Sequence, residues 1–265
     1  MDHTPSRRAV VGGLAAVSLA GCEHNAVLGR SQLMLISDEE LAQAGQQTWG
    51  QIRRQYRRSD NAQMQRQIDR IGDRVVGTTE MTNLNWEFEV FEGPPNAFVL
   101  PGGKVGYFTG MRSLADNDAK VANILGHECG HVAARHGAER MSQHLAASLV
   151  VGVASAFIAG AASNRRQASL LAGLLGAGVT YGVLMPYSRQ HEFEADALGL
   201  RYMAGAGYDP REAPRFWQAM EAESQRRGSP PEFLSTHPSD AARIAALNER
   251  LPEAEALFQR SRRVG

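Results

Sequence analysis

Cysteine is almost missing from this 265-residue chain: Cys22 and Cys129 are the only two. A disulfide framework is therefore excluded, and if Cys22 is modified no internal bridge remains possible. Lysine is equally scarce, with Lys104 and Lys120 standing against a background of arginine. Net charge is missing too, since 28 basic residues face 28 acidic ones, so no basic field favours nucleic acid. No period of 20 to 50 residues recurs, which excludes a solenoid. What is present is a chain 43% hydrophobic and 21% charged, long enough for one sizeable domain with its own core.

The N-terminus reads as a leader rather than as part of that domain. In "MDHTPSRRAVVGGLAAVSLAGC", Arg7 and Arg8 precede an uncharged apolar run from Ala9 to Ala20, and small residues lead into Cys22. That is the layout of an export signal, residues 1–21, and it is short for a spanning helix. The arginine pair resembles a twin-arginine signal without its usual Phe-Leu-Lys, so Sec export stays open. Leu19 to Cys22, "LAGC", resembles a bacterial lipobox, which makes Cys22 the lipidation site and residues 22–36 a tether. A plain membrane anchor with an incidental cysteine is the plainer reading. The expected location is the cell envelope, facing the periplasm. Glu23, where inner-membrane lipoproteins usually carry aspartate, favours the outer membrane.

Past the tether, Ser37 with Glu40 three residues later is a capping-box signature for a first helix. Met64, Ile68, Ile71 and Val75 are spaced for a second amphipathic helix. Trp86, Phe88 and Val90 alternate with Glu87 and Glu89 as in a half-buried strand. Gly93-Pro94-Pro95 breaks the chain; Asn96–Leu100 and Lys104–Thr109 read as extended, separated by a Pro101-Gly102-Gly103 turn. A small antiparallel sheet is thus expected ahead of a helix capped by Asp116 or Asn117, with Val121, Leu125 and Val132 on its buried stripe.

That helix carries "LGHECGHVAARH", Leu125 to His136. His127 and His131 stand one turn apart on one face, so two imidazoles can bind one zinc ion. Glu128 lies beside that face, within reach of a water as general base. By itself the five-residue motif also arises on ordinary helices, so a further ligand has to be found. "SRQHEFEADALGL", Ser188 to Leu200, offers Glu192 and Asp196, again one turn apart. Glu192 can be the third ligand, while Asp196 accepts the free ring N–H of a ligating histidine, His127 by preference. A solvated acidic face is the plainer reading of that segment taken alone.

Four segments in order, "NAFVLPGGKVGYFTGM" (96–111), "HECGHVAARH" (127–136), "SRQHEFEAD" (188–196) and "THPSDAARI" (236–244), resemble the HtpX / CAAX prenyl protease family of zinc metalloendopeptidases. The resemblance runs from about residue 80 to 250. It implies an α+β, predominantly helical gluzincin-like domain over 37–265, with the small antiparallel sheet packed on the motif helix. It also implies one Zn2+ per chain held by His127, His131 and Glu192, Glu128 as base, Asp196 behind a ligand, and Asn96, Ala97 and Phe98 near the substrate-binding strand. His237, made extended by Pro238, is implied to approach the site, either steadying the oxyanion or occupying the metal's open position as a latch. Arg243 is read as holding charge there or as pinning its helix.

Other polar residues read as bystanders. His136 lies five residues past His131, roughly 140° further round the helix, and is read as structural. His191 is read as a neighbour of Glu192, and Cys129 as a buried small hydrophobe. Leu145–Ala162 and Ala168–Tyr187 are uncharged runs rich in Ala, Gly and Ser. They are expected to form a buried or membrane-facing helix pair inserted over 145–187, with a spanning hairpin as the alternative. The expected activity is hydrolysis of peptide bonds in unfolded or misassembled envelope proteins. Two rivals stand beside it: a His237-latched, zinc-bound assembly factor for outer-membrane proteins, and a non-peptidase zinc hydrolase.

Overall fold

Residues 21–159, 187–238 and 241–264 are described by a computed structural model. The leader over 1–20 and the stretch 160–186 of the apolar pair lie outside the described residues. The elements in chain order are β1 (Cys22–Asn25), β2 (Arg30–Leu33), α1 (Asp38–Gln55), α2 (Ala62–Val76), β3 (Glu87–Phe91), β4 (Ala97–Leu100) and β5 (Lys104–Phe108). A 3-10 turn (Thr109–Ser113) leads to α3 (Asp118–Ala133) and α4 (His136–Ala159). Then follow α5 (Arg189–Gly205), α6 (Glu212–Arg227), the single turn α7 (Phe233–Thr236) and α8 (Ala241–Val264). The fold is α+β and mostly helical.

Local signals act where they are read. Ser37 Oγ accepts the Glu40 N–H at 3.2 Å and the Glu40 carboxylate accepts the Ser37 N–H at 3.0 Å, so the capping box starts α1. Asn117, not Asp116, caps α3, its Oδ1 accepting from the Lys120 N–H at 2.9 Å. Met64, Ile68, Ile71 and Val75 are all buried along α2.

Three expectations need correction. The three-stranded sheet is mixed, not antiparallel: its order is β3-β5-β4, with β3 parallel and β4 antiparallel to β5. Pro94 and Pro95 supply no N–H and disfavour a tight hairpin, so β4 lands on the far side of β5 from β3. Secondly, Glu89 is 4% exposed rather than solvated, because α1 covers that face and Arg53 and Arg58 pair with its carboxylate. Thirdly, residues read as a tether are structured. β1 and β2 form an antiparallel hairpin, with Asn25 and Gln32 buried against the end of α3.

Two layers of core surround the centre. Trp49, Phe91, Phe98 and Phe108 pack α1 against the sheet. A larger cluster joins α2, α3, α5, α6 and α8, with Val121, Leu125, Leu200, Tyr202, Phe216 and Trp217 among its members. The central contact is α3 on α5, made backbone to backbone. A Cβ at Gly199 would stand 2.7 Å from the His127 nitrogen, and one at Gly130 would stand 2.7 Å from the Ala195 carbonyl oxygen. Glycine is needed at both places because no side chain fits between the helices. Gly199→Ala is accordingly expected to cost about 1–3 kcal/mol through overpacking. The check is a lowered thermal midpoint, since the clash lies on the backbone of α3 at His127.

Among the described residues no helix is long and apolar enough to cross a membrane. The first part of the apolar pair continues α4 to Ala159.

Candidate active site

The close α3–α5 contact brings together what the sequence separates by more than sixty residues. His127 and His131 project from α3 with their Nε2 atoms 3.1 Å apart. Glu192 of α5 reaches both, at 3.5 Å from His127 Nε2 and 3.4 Å from His131 Nε2. His237, just after α7, completes the group, its Nδ1 3.1 Å from His127 Nε2 and 3.2 Å from Glu192 Oε1. One donor atom from each of these four buried residues lies within 4.8 Å of the others.

Whether this group suits a metal is settled by its donors. Three imidazole nitrogens and a carboxylate converge in a buried space, a borderline N/O set of the kind zinc takes. The electrostatics draw positive charge inward. Burial lowers the His127 pKa, but the hydrogen bonds its ring donates to the Asp196 and Glu192 carboxylates outweigh it and raise it to about 9. Burial likewise pushes Glu192 up, yet His237 and Arg243 hold it well below the usual carboxylate range, so it stays ionised. Burial keeps His131 neutral, with its pKa well below the ordinary value. The residues fit a divalent cation.

Asp196 stands behind His127, its Oδ1 2.9 Å from Nδ1. A carboxylate there accepts the Nδ1–H and fixes the ring so that Nε2 is the nitrogen that faces the cluster. Asp196 is itself held by a fork from Arg243, with Nε to Oδ2 and Nη2 to Oδ1 both 2.7 Å. The same guanidinium lies 2.8 Å from Glu192 Oε2 as an ion pair and donates to the Pro238 carbonyl at 2.8 Å, which ties the His237 loop to the site. Arg243 is 1% exposed and lies over the Trp217 ring, 3.9 Å from its centroid.

Glu128 is fully buried, and neither carboxylate oxygen has a hydrogen-bond partner. Burial raises its pKa, partly offset by His237 and His127. The Val99 N–H of β4 and His237 Nε2, 3.4 Å away, face it. The register explains the first. The Asn96 carbonyl accepts from the Phe108 N–H, so Asn96, Phe98 and Leu100 bond to β5 while Ala97 and Val99 turn their polar groups to the free edge. Ala97 and Phe98 bury their side chains on either face of the sheet. Asn96 donates to Glu232 at 3.2 Å and leaves its own Oδ1 unpartnered. A hollow of about 330 Å³ opens beside this edge, lined by Val99, Leu100, Leu41, Leu84, His131 and Tyr187.

Several further side chains surround the cluster. His136, read as structural, lies with its Nδ1 2.9 Å from His131 Nδ1, and its Nε2 2.8 Å from Glu194. Burial pushes its pKa down to about 4 in spite of Glu194. His191 stacks on His136 at 4.3 Å and reaches Glu139. Trp217, Tyr187 and Phe233 pack on His127, His131 and His237 respectively. No motif announces them; only the spacing of Trp217 on the apolar stripe of α6 hints that it points inward. Cys129 is buried and its thiol is pushed up by burial, so it stays protonated and inert.

The chain is similar to known proteases along most of its length. It is 39% identical over 189 residues to the mitochondrial metalloendopeptidase OMA1 of Schizosaccharomyces pombe, covering 71% of this chain and 53% of that protein. It is 36% identical over 179 residues to human OMA1, covering 66% of this chain and 34% of the relative. It is 31% identical over 186 residues to the beta-barrel assembly-enhancing protease of Yersinia pestis, covering 69% and 38%. The chain thus spans about half the length of these relatives, or less. A profile of peptidase family M48 matches residues 62–251, a span that contains β3 to β5, all four converging residues and Arg243. The chain belongs to peptidase family M48.

Proposed function

We propose that this protein is a zinc metalloendopeptidase that cuts unfolded or misassembled proteins of the cell envelope, with His127, His131 and Glu192 as the metal ligands and Glu128 as the base. The observation that carries this reading is an unpartnered, fully buried Glu128 carboxylate beside both a four-donor cluster and a free strand edge. Zinc held there supplies Lewis-acid polarisation of the scissile carbonyl and makes water acidic at neutral pH. Glu128 takes one proton from the attacking water and delivers it to the departing amine, so the C–N bond is hydrolysed with protons conserved. The burial that raises its pKa suits a group that must hold a proton between those steps. An extended substrate pairs by its backbone with Ala97 and Val99 at the edge of β4, which accounts for tolerance of many sequences. An apolar side chain of that substrate fills the hollow beside Val99 and Tyr187.

The envelope setting rests on the leader-like N-terminus and Cys22, read as lipidated and outer-membrane directed. The named relatives include both mitochondrial and bacterial proteases. Within the family, the four segments from Asn96 to Ile244 resemble the HtpX / CAAX prenyl protease branch. CAAX processing is not expected at a site outside the cytoplasm.

A second reading is favoured by one observation. His237 Nδ1 is as close to His127 Nε2 and Glu192 as a metal ligand would be. In that reading His237 occupies the open position and the protein serves as a latched assembly factor. Zinc content and casein cleavage of the purified chain and of His237→Ala separate the two. Cleavage by the parent, abolished by chelation, supports the working peptidase, with His237→Ala then slower by about tenfold or more from loss of oxyanion support. Cleavage by His237→Ala alone establishes the latch. One zinc per chain with no cleavage by either sinks the peptidase reading.

A further inference from the structure

The two histidines of the candidate metal site are not buttressed alike. His127 rests directly on Asp196, whose carboxylate is gripped by Arg243. His131 has no carboxylate behind it; its Nδ1 meets His136 Nδ1 at 2.9 Å. Two ring nitrogens at that distance must share one proton. His136 Nε2 faces Glu194 Oε2 at 2.8 Å, and an ionised carboxylate only accepts, so the proton of His136 sits on Nε2. His136 Nδ1 is then bare, His131 Nδ1 carries the shared proton, and His131 Nε2 turns a lone pair to the cluster. The chain of acceptors does for His131, through one intervening ring, what Asp196 does for His127.

Glu194 is in turn gripped by an arginine, and that arginine comes from the N-terminal hairpin. Arg30 places Nε 2.7 Å from Glu194 Oε1 and Nη2 2.8 Å from Oε2, while Nη1 and Nη2 each lie 2.8 Å from an oxygen of Glu139. Gln32 of the same strand donates to Glu139 at 2.6 Å and to the Ala134 carbonyl at 2.8 Å. Between Ala134 and His136, Arg135 takes a left-handed backbone with φ of 54°, unusual for a side chain with a Cβ. That bend separates α3 from α4 and turns His136 under His131. The Arg135 guanidinium is held by Glu23 of β1 at 2.6 Å and by Asp38 at the start of α1 at 2.8 Å. The hairpin therefore holds both the carboxylate that orients His136 and the bend that presents it.

We infer that the hairpin Cys22–Leu33 is a working part of the metal site, in which Arg30, acting through Glu194 and His136, is a positioning residue that sets the tautomer and orientation of the ligand His131. The inference rests on the metal reading of His127, His131 and Glu192. It gives the N-terminal segment a role that a passive tether would not have: the residue read as lipidated opens the strand pair that steadies a ligand.

The test is zinc affinity by competition with a chromophoric chelator, with the visible spectrum of the cobalt(II)-substituted protein as a second readout. Parent, Arg30→Ala, Arg30→Lys, His136→Leu and His136→Gln are compared in the full chain. Arg201→Ala, at a half-exposed position of the same helix α5 that pairs with Glu80 and lies over the Tyr202 ring, serves as control. Arg30→Ala and His136→Leu are each expected to weaken zinc binding by about 10–100-fold and to change the cobalt spectrum. Arg30→Lys should fall between, having charge without the fork. Because a glutamine carbonyl can accept from His131 while its amide donates to Glu194, His136→Gln should recover most of the affinity lost in His136→Leu. The double variant Arg30→Ala/His136→Leu should lose little more than the worse single one.

A parent that binds no zinc, or that binds it equally well as His131→Ala, removes the metal reading itself. A parent that binds zinc through His131, with Arg30→Ala and His136→Leu folded and within twofold of it, overturns the positioning role alone. If Arg30→Ala fails to fold, Arg30→Lys and the His136 pair decide in its place. Equal affinities for His136→Leu and His136→Gln would then refute the relay.

Discussion

Glu128→Gln is expected to lower kcat/KM for an unfolded substrate by about 10²–10⁴-fold while leaving one zinc per chain in place. Glutamine keeps the shape of the side chain but cannot take a proton from water, so the loss isolates the proton transfer. Glu128 contributes nothing to the four-donor cluster, and apart from the Val99 N–H and His237 that face it neither of its buried oxygens has a partner in the fold. A buried carboxylate in that condition costs stability rather than supplying it, so Glu128→Gln is further expected to melt no lower than the parent. Kinetics on a quenched-fluorescence peptide, zinc content and thermal unfolding check the three statements together. Retained activity would remove Glu128 from the chemistry. Activity and zinc lost in parallel would reassign it to metal binding.

The largest effect on stability is expected from Arg243. Its guanidinium carries a bidentate pair with Asp196, an ion pair with Glu192 and a hydrogen bond to Pro238, at 1% exposure. Arg243→Met preserves much of the stem that covers Trp217 but leaves two buried carboxylates facing each other's charge. Removing one partner of a buried pair costs about 3–5 kcal/mol, because the desolvated charge left behind has no water to turn to. For a chain of this size that corresponds to a fall of roughly 10 °C in the thermal midpoint. The double variant Arg243→Met/Asp196→Asn should recover part of it, since one stranded charge is gone. Differential scanning calorimetry with zinc removed keeps the comparison free of metal binding. A fall of less than 1 kcal/mol would mean that the buried carboxylates take up protons at no cost, and that Arg243 merely pins its helix.

Hydrogen-bond chemistry and helical periodicity are short-range, and where they dominate the sequence is legible. The capping box at Ser37, the buried stripe from Met64 to Val75, and the one-turn spacings of His127 with His131 and Glu192 with Asp196 all follow from residues within a turn of each other. The sheet was harder. Alternation places Phe88 and Val90 on one face, but it carries no information about which strand lies beside which. The parallel pairing of β3 with β5 emerges only from the path taken after Pro94 and Pro95. Likewise the carboxylate of Glu89 looks solvent-facing until α1 brings Arg53 over it.

For the site, the chain by itself determined which side chains could bind a cation and on which helix face each stands, because a 3.6-residue turn leaves no freedom in that. That Gly126, Gly130 and Gly199 lie where α3 and α5 meet backbone to backbone is visible only in the packing. Only the tertiary structure decided that the two helices touch in a register bringing Glu192 to both histidines, that Arg243 neutralises two carboxylates at once, and that His136 stands behind His131. It alone decided that the segment after Cys22 is a docked hairpin. Arg30 and Glu194 are separated by 164 residues, and their contact depends on the summed packing of every element between them. No local spacing encodes a distance of that kind.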